Sequence, residues 1–103
     1  MAALTAVSDD VLLTKVKKAL GVSGTYHDDT LSMHIADVKF VLEDAGIDEK
    51  AINGEAAVGV IVRGVADLWN IGSGTVNLSA YFKERVIGLA LSYPKSSEES
   101  ADV

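Results

Sequence analysis

The first part of the chain carries apolar residues at helical spacing. Ser8 is a suitable N-cap, and the apolar series that follows it reaches Gly21, where a helix can end. The positions of this series are Val11, Leu12, Val16, Ala19 and Leu20. The pattern predicts a first helix between Ser8 and Gly21, followed by a turn-rich connection that reaches His27.

A second apolar stripe begins near Asp28 or Asp29 and alternates spacings of four and three residues. Its positions are Leu31, Ile35, Val38, Leu42 and Ala45. This spacing predicts an amphipathic helix, with Gly46 as its terminator. Phe40 and Val41 are expected to widen its apolar face, and Asp48, Glu49 and Lys50 to form a charged connection.

The segment from Glu55 to Asn70 is the most apolar part of the chain, and its apolar residues surround the helical wheel. A helix of this kind requires burial on several sides. The β-branched run Val60-Ile61-Val62 also fits a strand, but the length of the segment and its alanines favour a helix. The predicted core residues in this segment are Ile61, Val65, Leu68 and Trp69.

A Gly-rich connection, Gly72-Ser73-Gly74-Thr75, precedes a fourth helix that Asn77 or Ser79 can cap. This helix should end near Tyr93-Pro94, because proline disfavours helix at the preceding residue. The expected fold is all-α, a compact bundle of about four helices over residues 1–93, with a polar C-terminal tail over residues 94–103. The residues proposed for assembly through this tail are Tyr93, Pro94, Lys95, Glu98 and Glu99.

Composition narrows the class of protein. The chain of 103 residues holds no cysteine and has a formal net charge of −6, most of it in residues 1–55. The absence of cysteine excludes disulfides and thiolate chemistry. Met1–Val7 lacks the basic start of a secretory signal, and Arg63 and Asp67 interrupt the most apolar segment, so we expect no export and no membrane span.

The sequence contains only weak motifs for metal binding, phosphate binding or catalysis. His27, Asp28, Asp29 and His34 include metal-ligand types, but the two aspartates suit a helix start and the histidine spacing does not define one face. Gly72-Ser73-Gly74-Thr75 lacks the lysine of a phosphate-binding loop. We therefore expect no enzyme activity, and no catalytic, cofactor-binding or metal-binding residues.

Two further side-chain arrangements are expected near the third connection. Trp69, Tyr81 and Phe82 flank it, and aromatic packing between two antiparallel helices is a simpler explanation than a binding platform. Arg63 and Asp67 are four residues apart, which predicts an ion pair on one helix face.

The order of the predicted helices resembles the small phage head–tail connector, or DNA-packaging adaptor, family. The resemblance rests on the opening Val11-Leu12-Leu13-Thr14-Lys15-Val16-Lys17, the motif Ala66-Asp67-Leu68-Trp69-Asn70, and the closing helix from Tyr81 to Leu91 with Tyr93 at its end. It spans residues 8–93 and consists of degenerate helical patterns without a catalytic signature.

The resemblance implies a structural virion protein in the neck of the particle, made in the host cytoplasm. Its implied partners are copies of itself in a ring, commonly twelve-fold, the portal protein, and a downstream head-closure or tail protein. DNA would pass through the ring without specific binding. The alternative is a small helical regulatory or protein-interaction module, which would normally use one two-fold patch where a ring uses two different surfaces.

The charge balance predicts that the isolated chain does not bind duplex DNA tightly. A net charge of −6 opposes phosphate neutralisation, so any contact should be weak and sensitive to salt. Fluorescence anisotropy with a labelled duplex at physiological salt measures this. Sub-micromolar affinity would contradict the prediction and make nucleic-acid binding the leading function.

Overall fold

The structure, a computed structural model, describes residues 5–71 and 79–95, with the side chain of Ile71 excepted. Five α-helices occupy these residues: α1 (Asp9–Leu20), α2 (Asp28–Asp44), α3 (Glu49–Ile52), α4 (Val58–Ile71) and α5 (Ala80–Ser92). A 3-10 turn at Glu55–Ala57 leads into α4. The described residues include no β-strand, and four of the helices are substantial, which confirms the predicted all-α fold.

The N-terminal helix begins and ends as its sequence predicts. The Ser8 Oγ accepts a hydrogen bond from the Val11 amide at 3.2 Å, which satisfies one of the unpaired donors at the start of α1. Gly21 adopts a left-handed backbone with φ of 72° and ends the helix. Asp9 lies in the first turn and Lys17 in the last, where the helix dipole favours their charges.

Helix α2 buries one stripe of side chains, consisting of Leu31, Ile35, Val38 and Leu42. The expectation that Phe40 and Val41 widen this buried face is wrong, since they are 67% and 37% exposed. At 100° per residue, Phe40 lies on the opposite side of the helix from the buried stripe. The helix begins at Asp28, and Gly46 follows its end with φ of 88°.

The connection between α2 and α4 is more structured than predicted. The charged segment at Asp48–Lys50 begins the short helix α3, whose Ala51 and Ile52 are buried. The 3-10 turn follows directly and buries Ala57. Four-residue helices fall below the length at which an apolar period can be recognised, so α3 has no periodic signal in the sequence.

Helix α4 lies at the centre of the fold and packs against α1, α2 and α5. Val60, Ile61 and Val65 are fully enclosed, with at most 1% of their surface exposed. Leu68 and Trp69 are partly buried and pack against this core. The apolar residues around α4 therefore contact different neighbouring helices, which accounts for its lack of a fully polar face.

Helices α2, α4 and α5 approach one another closely at Gly64 in the middle of α4. A Cβ atom at this position would lie 2.6 Å from Cε1 of Phe82 and 2.9 Å from Cγ2 of Val38. Because both neighbours are themselves buried, neither can move away freely. Gly64 thus allows α2, α4 and α5 to meet at one point.

Helix α5 covers the remaining side of the core. The Ser79 Oγ caps its start by accepting a hydrogen bond from the Phe82 amide at 3.1 Å. Phe82, Val86 and Leu89 are buried, and the complete burial of Phe82 alone contributes about 1.5–3 kcal/mol. The predicted connection at Gly72–Thr75 and the alternative cap Asn77 lie outside the described residues.

Two glycines of α4 provide a matched test of the close approach. Gly64→Ala should lower the free energy of unfolding by about 1–2 kcal/mol, because overpacking outweighs the better helix propensity of alanine. Gly59→Ala should be neutral or stabilise by up to about 1 kcal/mol, because nothing lies within 4 Å of its added Cβ. Urea unfolding monitored by circular dichroism measures both. Equal effects of the two substitutions would contradict the central contact.

Candidate functional site

Both described ends of the chain pair with the connection between α2 and α4. Near the N-terminus, the Val7 amide donates to the Asn53 carbonyl at 2.8 Å, and the Glu55 amide donates to the Thr5 carbonyl at 3.0 Å. Ala6 and Gly54 thereby form an antiparallel bridge. The segment before α1 is therefore held against the turn that follows α3.

The residues after α5 make the equivalent contact on the other side of α3. The Asp48 amide donates to the Tyr93 carbonyl, and the Lys95 amide donates to the Gly46 carbonyl, both at 2.8 Å. Ile47 and Pro94 form an antiparallel bridge between these bonds. The backbone from Tyr93 to Lys95 is thus attached to the α2–α3 connection.

The structure places three of the five residues assigned to the assembly tail. Tyr93 is half-buried and packs against the core, whereas Pro94 and Lys95 are exposed. Glu98 and Glu99 lie outside the described residues. The role of the segment in assembly remains a prediction, but its first residues follow a defined path along the fold.

Lys17 and Lys39 form ion pairs within the subunit. The Lys17 Nζ lies 2.8 Å from the Asp28 Oδ1 and also donates to the Gly24 carbonyl. The Lys39 Nζ lies 2.8 Å from the Asp9 Oδ1. Each pair contributes about 0.2–1 kcal/mol at the surface and joins α1 to α2 or to the loop between them.

The candidate metal ligands do not converge. Asp28 is paired with Lys17, and the His27 ring makes edge contacts with the Tyr26 ring at 4.8 Å and the Trp69 ring at 5.0 Å. The Nδ1 atom of His34 is buried and has no hydrogen-bond partner among the described residues. Within residues 5–71 and 79–95, no group of three His, Cys, Asp or Glu side chains could hold a metal ion.

The three aromatic residues near the third connection, Trp69, Tyr81 and Phe82, have different surroundings. Trp69 packs on His27 at the start of α2, while Phe82 is buried over Gly64 and Tyr81 is 58% exposed. Of the aromatic packing expected between the two helices, the structure shows Phe82 of α5 against Gly64 of α4, whereas the Trp69 ring contacts His27 instead. The turn before α2 places His27 beside Trp69. The length of this turn does not indicate that contact in the sequence.

The predicted pair on α4 is present and has a second role. The Arg63 Nε lies 3.3 Å from the Asp67 Oδ1, which confirms the expected ion pair. The other carboxylate oxygen of Asp67 accepts a hydrogen bond from the Ser79 amide at 3.1 Å. Asp67 therefore fixes the entry to α5 from the adjacent helix, a contact that sequence spacing did not indicate.

Large apolar side chains remain exposed on two helices. Met33 and Phe40 of α2 are 66% and 67% exposed, and Ile87 and Leu91 of α5 are 60% and 80% exposed. Single exposed apolar residues are ordinary, but repeated ones on the outer faces of two helices suit contacts with other proteins. Phe40 was expected to widen the apolar face of α2, whereas it lies on the outer side of that helix.

Two concave sites among the described residues are open depressions on the surface. One of about 300 Å³ is lined by residues of α1 alone: Asp10, Val11, Thr14, Lys15 and Lys18. Another lies between α2 and α3, with Phe40 and Glu43 on its wall. These depressions do not enclose a ligand on several sides as small-molecule sites usually do. The part of the chain that the structure describes contains no helix with the length and hydropathy needed to cross a membrane.

These features define a small all-helical subunit whose outer surface suits protein contacts. The chain belongs to the phage connector protein family, whose sequence pattern matches residues 12–74. This match confirms the predicted resemblance and identifies a structural protein family of the phage particle. No curated protein and no solved structure matches the chain.

The range matched by the family corresponds to the first four helices of the structure, apart from the start of α1. It begins within α1, includes α2, α3 and the 3-10 turn, and extends past the end of α4. Helix α5 lies outside the match, so the part of the resemblance that rested on the closing helix stays a prediction. The family pattern thus covers the central helix and the two helices before it that pack on it.

Proposed function

We propose that this protein forms the ring-shaped head–tail connector, or adaptor, beneath the portal of a tailed phage. The observation that carries this proposal is the family match over residues 12–74. The ring would extend the DNA channel, complete the filled head and provide the attachment site for a downstream head-closure or tail protein. Its position would be the neck of the virion, after synthesis in the host cytoplasm.

The surface of the subunit supports an assembly role. Two helices expose large apolar side chains, and an isolated domain of this size leaves a sizeable fraction of its apolar surface uncovered. A ring interface would cover part of that surface in every copy. Membership in a structural family also favours the absence of catalysis, which we include in the proposal.

The charge of the subunit suits a channel that DNA crosses without being held. The net charge is −6, and Lys17 and Lys39 are neutralised within the subunit. Duplex binding through the backbone requires several cations that face the phosphates. An acidic ring would repel the phosphates weakly and leave DNA free to slide.

A regulatory or protein-interaction module is the alternative that the exposed apolar faces also suit. The two functions differ in symmetry, because a ring repeats a contact between two different surfaces, whereas a regulatory dimer uses one surface twice. The family match favours the ring.

Native mass spectrometry and co-sedimentation with the portal of the same phage test the proposal. We expect the chain to bind the portal ring in a fixed stoichiometry of twelve copies, because the contact repeats with the symmetry of the portal. A closed two-fold dimer that does not associate with the portal would overturn the connector function and favour the regulatory module.

Truncation after Lys95 tests the proposed assembly tail. The truncated chain keeps the hydrogen bond from the Lys95 amide to the Gly46 carbonyl, so circular dichroism should show unchanged helicity. Association with the ring or portal should weaken, because residues 96–103, which include Glu98 and Glu99, are proposed to dock there.

A full-length control separates the charge of the tail from its length. Glu98→Gln with Glu99→Gln removes two charges and keeps every residue of the segment. Unchanged assembly of the truncated chain would overturn the docking role. Loss of helicity on truncation would show that residues 96–103 belong to the fold.

A further inference from the structure

The outer side of α1 carries two cations that have no counter-charge within the helix. Lys15 and Lys18 are exposed and three residues apart, so they lie one helical turn from each other, where like charges repel. Neither forms an ion pair with any residue that the structure describes. No acidic residue stands three or four positions from either of them. These two residues are called the lysine pair below, and they are available to an acidic partner.

The lysine pair lines the open depression of about 300 Å³ on α1, together with Asp10, Val11 and Thr14. Val11 is 44% exposed and supplies an apolar contact. The Thr14 hydroxyl donates to the Asp10 carbonyl at 3.0 Å, so it is engaged by its own helix. Asp10 lies at the N-terminal end, about 7 Å along the helix axis from Lys15. The depression therefore carries a net positive charge, which is concentrated in its C-terminal half.

Other exposed cations without an ion pair among the described residues are arranged differently. Lys83 and Arg85 are two residues apart and point to opposite sides of α5, with Glu84 between them. Lys50 follows Glu49 directly in α3. An acidic segment that meets the lysine pair thus encounters two cations on one face without an intervening acid.

The C-terminal segment has the opposite charge. Residues 96–103 include Glu98, Glu99 and Asp102 and no cation, and four of the eight residues are serine or alanine. Small side chains allow a backbone to lie close to a shallow depression. A segment of this composition cannot build a core of its own, so any fixed position requires another surface.

The length of the chain favours a lysine pair on another copy. The two ion pairs between α1 and α2 join the start of each helix to the later part of the other, so these helices run antiparallel. Lys95 is attached to Gly46 beyond the end of α2, which lies roughly 24 Å from Lys18 along the helix axes. Four extended residues from Lys95 to Glu99 cover at most about 14 Å. The backbone at Glu99 therefore stops roughly 10 Å short of Lys18 in its own copy.

We propose that residues 96–103 of one copy dock in the α1 depression of a neighbouring copy, with Glu98 and Glu99 against Lys15 and Lys18. The proposal rests on the proposed ring and its assembly tail, and it names the surface that receives the tail. Each contact neutralises charges that have no partner within α1. Because the tail and the depression are different surfaces, the contact repeats in one direction around the assembly, as a closed ring requires.

Cross-linking in this cysteine-free chain tests the contact without altering the charged residues that make it. Ala19→Cys, beside the lysine pair, and Ser100→Cys, in the tail, are made in separate chains and treated with a short bismaleimide, with and without the portal. An equal mixture should give several-fold more cross-linked dimer than either variant alone. Ala36→Cys, an exposed alanine on α2, is the matched control and should show no excess with Ser100→Cys.

Charge reversal identifies the side chains that hold the tail. Lys15→Glu with Lys18→Glu, introduced into the chain with the α1 thiol, should lower the yield several-fold, because acids would then face acids. Glu98→Lys with Glu99→Lys, introduced into the chain with the tail thiol, should restore the yield. Recovery through a second reversal requires that both chains are folded, so it separates docking from loss of structure.

A matched reversal on α5 controls for net charge. Lys83→Glu with Arg85→Glu changes the charge of the α1-thiol chain by the same amount and leaves the lysine pair intact. This variant should cross-link to the tail thiol as well as the unreversed chain does. An equal loss of yield from the two reversals would show an effect of total charge and overturn the proposed contact.

The remaining outcomes distinguish this contact from the connector function. The contact is overturned if the mixture shows no excess, if the reversals leave the yield unchanged, or if a chain carrying both thiols closes on itself while the mixture shows no excess. If the wild-type chain still binds the portal as a ring, the connector function stands without this contact. If the wild-type chain does not bind the portal, the connector function fails whatever the cross-links show.

Discussion

The close approach of three helices at Gly64 determines how the rest of the subunit is arranged. Because this position has no side chain, the Phe82 ring and the Val38 methyl groups can both reach the backbone of α4. That contact brings α2 and α5 onto the same central helix and fixes where each of them lies. The remaining core residues of α5, Val86 and Leu89, follow along the helix from this point.

Hydrogen bonds outside the helices complete the arrangement that this packing begins. The segments at Thr5–Val7 and Tyr93–Lys95 pair with the connection that contains α3 and the 3-10 turn. This connection is irregular, so its backbone groups need partners that a long helix would supply internally. The two ends of the described chain supply them, and the connection in turn sets the direction in which each end leaves the fold.

Much of the helical architecture could be predicted from local signals. Ser8 and Gly21 mark the ends of α1 because capping depends on only a few neighbouring residues, and Ser79 marks the start of α5 for the same reason. Helix α3 could not be predicted, since four residues are too few to show a period. The pairing of the chain ends was also inaccessible, because backbone bridges between distant segments leave no side-chain pattern.

Phe40 was assigned to the core side of α2 because it is apolar. At 100° per residue it lies across the helix from the stripe containing Val38, so its exposure could have been predicted from the sequence. Gly64 and Gly88, in contrast, cannot be distinguished from the sequence, because it shows the same residue in the same kind of helix. Only the surroundings distinguish a glycine enclosed by Phe82 from one that faces open space.

Helix α5 has two roles that cannot be separated by removing it. Its inner side buries Phe82, Val86 and Leu89 in the core, so a chain without this helix would lose several apolar contacts and a large part of its stability. Its outer side carries the exposed Ile87 and Leu91, which the core does not use. Any role of this helix in assembly must therefore be read from its outer side alone. A small subunit of this kind uses one helix for both tasks because a single core of about a hundred residues leaves no helix that is free of the fold.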